Sequence, residues 1–155
     1  MSNANINVID NVNRSEAQII DSYNNESGIV TLTSITDTVN NVTAVENNAN
    51  ISLDTSTITV TDPASLVDAT AIKEFTTALV TLQVVEDTVS NITSIDGIDS
   101  NDVSMASAAI TVTDPASLAD ATTLNGFTDG LVTLQKVEDT VSNITSIDGI
   151  DSNDV

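Results

Sequence analysis

An aspartate recurs at nearly constant spacing along this chain of 155 residues. Successive positions are separated by 27, 25, 25, 27 and 25 residues, and we name them the Asp ladder: Asp10, Asp37, Asp62, Asp87, Asp114 and Asp139. Each follows a short β-branched or aliphatic run and precedes a segment with an apolar residue at about every third position. One residue type recurring at one structural point predicts a repeat architecture of six similar units.

Almost the whole chain is repeat. Residues 58–103 align with 110–155 at a shift of 52, with 38 identities in 46 positions. A diverged copy precedes them, because Ile6-Asn7-Val8-Ile9-Asp10 corresponds to the sequence ITVTD at 58–62. The sequence therefore predicts a single repeat array over 1–155, with copies at about 6–57, 58–109 and 110–155, the last one incomplete.

Each copy divides into two units of about 26 residues, both of which run from a strand-like to a helix-like segment. The alternation at 58–61 favours a half-buried strand. In the second unit Val80 and Leu82 also alternate, and Val84 and Val85 then break the alternation, which predicts a bulge or an early strand end there. Pro63 fits the first helical position, so each ladder Asp is predicted to N-cap the helix of its own unit. The three-residue apolar spacing favours short helices with 3₁₀ character or α-helical turns whose buried face drifts, and an irregular or extended segment is the alternative after Asp87.

A repeated strand, turn and short helix predict an α/β repeat solenoid of about six coils of 25–27 residues, with a parallel sheet along one face. This geometry resembles that of leucine-rich repeats, although the L-x-x-L-x-L-x-x-N pattern is absent. An aromatic content of 2% fits the thin core of such a fold. The alternative fold is an all-β solenoid.

The charge of the chain excludes several partners. It carries 23 acidic and 3 basic residues, a formal net charge of -20, and its bases Arg14, Lys73 and Lys136 are scattered. Because phosphate binding needs clustered bases, we expect no nucleic acid partner. No window approaches a membrane span, so no membrane insertion is expected, and residues 1–13 lack the basic start of a Sec-type signal peptide.

Catalysis is not expected from this composition. The chain has no His and no Cys, so the usual nucleophile–base pairs are missing. Its acids recur from copy to copy, whereas active sites are normally unique positions. We predict that the chain is not an enzyme; a fragment of an enzyme whose catalytic domain lies elsewhere is the alternative.

One acidic loop is a candidate metal site. Its carboxylates are Asp96, Asp99 and Asp102, repeated as Asp148, Asp151 and Asp154. Hard oxygen ligands suit Ca²⁺, which makes this ion the candidate cofactor. Neither the EF-hand pattern nor the glycine-rich calcium repeat is present, and a solvated loop whose Asp and Asn residues stabilise turns is the alternative. For the Asp ladder, helix capping is favoured over cation binding.

The phrases I-T-V-T-D-x-A-S-L-A-D-A-x-x-L and V-E-D-T-V-S-N-I-T resemble known tandem repeats. They are similar to Thr/Asp-rich repeats of giant marine cyanobacterial surface proteins and of cyanophage structural (appendage) proteins. The resemblance covers nearly the whole chain and brings no catalytic residues with it. It implies a structural or adhesive role outside the cytoplasm.

Together these observations predict a non-enzymatic structural repeat protein, a segment of an elongated fibre or appendage of a virion, such as a phage, or of a cell surface. The expected partners are further repeats, copies of the chain itself, or other structural proteins. A calcium-dependent extracellular adhesin or binding module is the alternative function.

Overall fold

The computed structural model describes residues 4–24 and 28–147, in which strands and helices alternate. In chain order the elements are β1 (Ile6–Val12), α1 (Arg14–Tyr23), β2 (Val30–Asp37), α2 (Val39–Glu46), β3 (Ile51–Ser52), β4 (Thr57–Ala64), α3 (Leu66–Lys73), β5 (Val80–Asp87), α4 (Val89–Asp96), β6 (Val103–Ser104), β7 (Ala109–Ala116), α5 (Leu118–Asn125), β8 (Val132–Val137) and α6 (Val141–Ile147). The same elements recur at the 52-residue shift seen in the sequence.

All strands belong to one parallel sheet that is curled into a half-barrel. The order of the long strands, β1-β2-β4-β5-β7-β8, is their order along the chain, so each of the helices α1 to α5 lies between two strands that are neighbours in the sheet. The two-residue strands β3 and β6 pair with the first residues of β2 and β5. The predicted α/β architecture with a parallel sheet is confirmed, and the all-β alternative is wrong.

The strand–helix units are of two alternating types. First-type units are β1–α1, β4–α3 and β7–α5, and second-type units are β2–α2, β5–α4 and β8–α6. The first-type strands contain a bulge: Val60 pairs with Leu82 but Pro63 pairs with Val84, so β4 holds one extra residue there. The predicted break in alternation is confirmed, because Leu82 and Val85 are both buried, but the extra residue lies in β4 and the predicted early end of the strand is wrong, since β5 runs on to Asp87. Asp62 lies in the bulge, where a strand can redirect a side chain.

The core lies between the sheet and the helices and consists of small aliphatic side chains. Ile58 and Val60 of β4 are fully buried and Thr61 is exposed, which confirms the predicted alternation. Helices α1 to α5 contribute two buried residues each, such as Ala69 and Ile72 of α3, whereas residues 141–145 of α6 are exposed. Eight-residue helices bury little surface, so the neighbouring units supply most of each other's packing.

The helix starts differ from those predicted. Pro63 lies within β4, and α3 begins at Leu66 after the N-cap Ser65. A capping box closes this start: Ser65 Oγ accepts from Asp68 N–H at 3.3 Å, and Asp68 Oδ2 accepts from Ser65 N–H at 2.9 Å. The predicted N1 role of Pro63 is therefore wrong. The segments are α-helices, so of the two interpretations of the apolar spacing the 3₁₀ one is wrong and the α-helical one is confirmed. The irregular or extended alternative after Asp87 is also wrong, because 89–96 is an α-helix.

Candidate functional site

The Asp ladder lies at the carboxyl ends of the parallel strands, but it does not cap the helices as predicted. The N-caps of α1 to α5 are Asn13, Thr38, Ser65, Thr88 and Ser117. Each cap side chain accepts from the backbone N–H three residues later, which is the usual capping bond. The prediction that Asp10, Asp37, Asp62, Asp87, Asp114 and Asp139 N-cap their own helices is therefore wrong, because Asn, Ser or Thr side chains nearer the helix start accept the capping bonds.

Five ladder carboxylates instead accept a hydrogen bond from the helix of the preceding unit. The donor is always the first backbone N–H of that helix. The bonds are Arg14 N–H to Asp37 Oδ2 at 2.9 Å, Val39 N–H to Asp62 Oδ1 at 2.8 Å, Leu66 N–H to Asp87 Oδ2 at 2.9 Å, Val89 N–H to Asp114 Oδ1 at 2.8 Å and Leu118 N–H to Asp139 Oδ2 at 2.9 Å. The N-terminus of a helix favours negative charge, so each carboxylate ties two units together.

The two unit types use the carboxylate differently. In second-type units the other oxygen serves its own unit: Asp87 Oδ1 accepts from Thr88 N–H and from Asn91 Nδ2, both at 2.8 Å. The equivalent asparagines, Asn41 and Asn143, make the same bond to their ladder Asp at 2.8 Å. In first-type units these partners are absent from the described residues, and the only bond to the Asp62 carboxylate is that from the preceding helix.

The hydrogen bonds shift the ionisation of the second-type carboxylates. Burial raises the pKa of Asp87, but donation from Leu66 N–H, Asn91 and Thr88 N–H outweighs it and holds that pKa below 3.8. The pKa of Asp37 is lowered from the same value by the same balance: burial raises it, donation from Arg14 N–H, Asn41 and Thr38 N–H outweighs the burial, and the positive charge of Arg14 lowers it further. At neutral pH both carboxylates are therefore charged acceptors, and charged hydrogen bonds are the stronger kind.

The predicted acidic loop does not gather its carboxylates around one point. Asp99 Oδ1 accepts from Asn101 N–H at 2.9 Å and from Asn101 Nδ2 at 2.8 Å. Asp102 Oδ1 lies 3.1 Å from Lys73 Nζ, and Asp96 is exposed at the end of α4. In the described part of the chain, no group of three or more His, Cys, Asp or Glu side chains could hold a metal ion. Asp148, Asp151 and Asp154 lie outside the described residues, and calcium binding stays a prediction.

Sequence reasoning missed the ladder asparagines and the capping boxes. Asn41, Asn91 and Asn143 each follow a ladder Asp by four residues, a spacing at which helical side chains meet. The boxes were visible as serine followed three residues later by an acid, at Ser65-Leu66-Val67-Asp68 and its copy at 117–120. Both signals concern the start of a helix. Before α3 the sequence has two possible capping residues three positions apart, Asp62 and Ser65.

Core residues become exposed at the two ends of the sheet. Ile144 of α6 is 45% exposed, whereas its equivalents Ile92 and Val42 are 0% exposed. In β8, Val137 is 36% exposed, whereas the equivalent Val85 is fully buried. At the other end, Ile6, Val8 and Ile20 are only partly buried, whereas the same positions in later copies are buried. Both end faces are thus apolar surfaces that resemble the internal unit boundaries.

Comparisons with known proteins give no match: no family model, no curated protein and no solved structure is similar to this chain. Over residues 4–24 and 28–147, none of the helices is long and apolar enough to cross a membrane.

Proposed function

We propose that this chain is a non-enzymatic structural repeat protein, an α/β solenoid of six strand–helix coils with leucine-rich-repeat-like geometry. It serves as a segment of an elongated fibre or appendage on a virion or a cell surface. One observation carries the proposal: the bond from a helix start to the next ladder carboxylate recurs at five successive unit boundaries, at 2.8–2.9 Å.

Two further features support a scaffold role. The bonds from the helix starts to the ladder carboxylates recur at every described unit boundary, so each unit holds its neighbour in the same way. Repeat proteins gain their stability from such nearest-neighbour interfaces and can be lengthened by adding units. The chain also keeps a large negative charge on its surface, which favours solubility of a long assembly.

The proposed partners are further repeats, other copies of the chain or other structural proteins, and the location outside the cytoplasm follows the resemblance to cyanobacterial and cyanophage repeats. A calcium-dependent adhesin is the alternative, and it requires a cation site in the acidic loop. In the described residues the carboxylates of Asp99 and Asp102 already have partners in Asn101 and Lys73, which favours the structural role.

The proposal is tested by inserting additional copies of residues 58–109 in tandem. Each copy adds two strands to the sheet, so the contour length in electron micrographs should rise by about 10 Å per inserted copy, from a strand spacing of about 4.8 Å. A matched series whose inserted copies carry Asp62→Ala and Asp87→Ala should melt at lower temperature. Inserted copies that leave the contour length unchanged would contradict the solenoid.

Location is tested separately by immunoelectron microscopy with antibodies raised against residues 58–109. We expect label on extended structures at the surface of virions or cells. Label that is confined to the cytoplasm would contradict a role in a fibre or appendage, even if the inserted copies lengthen the protein.

A further inference from the structure

The two ends of the sheet carry complementary halves of the bond that joins the units. Asp10 is the one ladder residue with no hydrogen bond to its carboxylate from the described residues, whereas its equivalents Asp62 and Asp114 each accept from a preceding helix. At the other end, Val141 N–H begins α6, and no acceptor for it lies within 4–24 or 28–147. One end therefore offers the acceptor and the other offers the donor.

The unit types at the two ends are also in phase. Inside the chain, a first-type carboxylate always accepts from a second-type helix, as Asp114 does from Val89 N–H of α4. The helix α6 is of the second type, and Asp10 belongs to a first-type unit. If β1 of one copy lies beside β8 of another, first-type and second-type units therefore continue to alternate across the contact. They would not alternate there if both ends were of the same type.

The strand edges fit the same arrangement. Internal second-type strands extend to their ladder Asp, because their last residues pair with the next first-type strand, as Glu86 pairs with Thr111 and Asp87 with Val112. In contrast, β8 ends at Val137, two residues before Asp139. Among the described residues β8 pairs along one edge only, with β7, and Ile144 of the helix that follows β8 is exposed. An added strand and its helix would therefore find both unpaired backbone groups and apolar surface at this end.

We propose that copies of this chain associate head to tail, with β1 of one copy pairing in parallel with β8 of the next and with its Asp10 carboxylate accepting from Val141 N–H. The proposal rests on the proposed structural function and specifies the partner as a second copy. By the register of β5 and β7, Glu138 lies opposite Asn7 of the other copy. This heterologous contact leaves one free end of each kind after every addition.

Two single-cysteine variants test this register in the full chain, which has no cysteine of its own. Asn7→Cys and Glu138→Cys both change exposed residues, so folding should be unaffected. Paired strand positions are close enough for a disulfide. In a glutathione buffer containing 1 M NaCl, where the Debye length of about 3 Å screens the like charges, the mixture should form the heterodisulfide. We expect the yield of heterodisulfide to be about tenfold above the yield from random collision of the two variants, which is the statistical share. Association raises the effective concentration of the two thiols and so causes this excess.

The matched control is Gln83→Cys, an exposed residue of β5, whose two edges are already paired within the chain. Mixed with Asn7→Cys, it should give only the statistical share of heterodisulfide. Equal shares for Glu138→Cys and Gln83→Cys would overturn the proposal. Enrichment of the Asn7→Cys homodisulfide would overturn it as well, because it would indicate that like ends meet.

A second measurement uses mass instead of covalent trapping. Sedimentation at high salt should show a mass that rises with concentration above the 16.1 kDa monomer. Val8→Lys and Val137→Lys place a charge at opposite ends; each variant alone should be monomeric, and their mixture should form a one-to-one complex. Wild-type protein that stays monomeric at all concentrations would overturn the inference. If separate copies stay apart while inserted copies still lengthen the chain, this inference fails and the proposed function stands.

Discussion

Alanine substitution at three equivalent ladder positions should produce a graded loss of stability. Asp87 accepts three hydrogen bonds, from Leu66 N–H, Thr88 N–H and Asn91 Nδ2. Asp62 accepts one, from the preceding helix, and Asp10 accepts none from the described residues. All three substitutions remove the same charge from a chain of net charge -20, so the change in general repulsion is nearly the same in each.

The expected magnitudes follow from the number of bonds. A hydrogen bond contributes about 1 kcal/mol net, and the partial exposure of the ladder keeps the value near that figure because water replaces some of the lost partner. We therefore expect Asp87→Ala to lower the free energy of unfolding by about 2–3 kcal/mol and Asp62→Ala by about 1 kcal/mol. Asp10→Ala should have almost no effect. For a chain of this size, 1 kcal/mol corresponds to about 2–4 °C in melting temperature.

The assay is urea unfolding followed by circular dichroism at pH 7, at a protein concentration low enough to keep the copies apart. Because repeat arrays can lose cooperativity, midpoints are compared only where the slope of the transition is unchanged. Equal effects of the three substitutions would refute the assignment of the ladder to bonds between units. So would a larger effect of Asp10→Ala than of Asp62→Ala.

Further predictions concern pH, packing, surface charge and calcium. The pKa of Asp87 is lowered from 3.8 in the folded chain, so the stability that its charge contributes is fully present above pH 3.8 and is lost as pH falls through the folded pKa. The difference in urea midpoint between wild type and Asp87→Ala should therefore stay constant from pH 5 to 7 and vanish below the folded pKa. Leu82→Ala should cost about 2–5 kcal/mol, and Leu134→Ala at the half-buried equivalent position clearly less, as measured by chemical denaturation. Lys73→Met removes the 3.1 Å contact with Asp102, whose side chain is 42% exposed, and should lower the free energy of unfolding by under about 1 kcal/mol. Millimolar CaCl₂ and MgCl₂ at equal ionic strength should shift the melting temperature equally; a rise specific to calcium would support the adhesin alternative.

The repeat period and the strand positions were predictable because both depend on local patterns. The alternation at Ile58-Thr59-Val60-Thr61 in β4 and the break in alternation at Val84 in β5 both predict on which face of the sheet a side chain lies. The structure confirms both patterns of burial. The start of each helix was predicted wrongly because Asp62-Pro63 is as good a start signal as Ser65 with its capping box. Only the register between β4 and β5 decides between them, since Pro63 pairs with Val84 and so remains in the strand.

The bonds between units could not be predicted because their two partners are 21 to 25 residues apart and belong to different helices and strands. A pattern of one residue type per unit shows that a position matters in every unit. It does not show whether that residue acts within its unit or on the neighbour. The acceptor role of the ladder depends on a backbone N–H, which carries no sequence signal at all.

The chemistry of the carboxylate explains why the ladder position of second-type units is Asp and not another capping residue. Serine and threonine have one acceptor oxygen and can serve one helix start. Asp87 has two oxygens, one for Leu66 N–H of the preceding helix and one for Thr88 N–H and Asn91 of its own unit. Asparagine also has only one acceptor oxygen, so Asp87→Asn should keep one of these two sets of bonds and lose the other. In first-type units the serine capping box serves the local helix, so Asp62 needs only one oxygen. On this reasoning, Asp62→Asn should be nearly neutral and Asp87→Asn should be intermediate between wild type and Asp87→Ala, a difference that the same urea assay resolves.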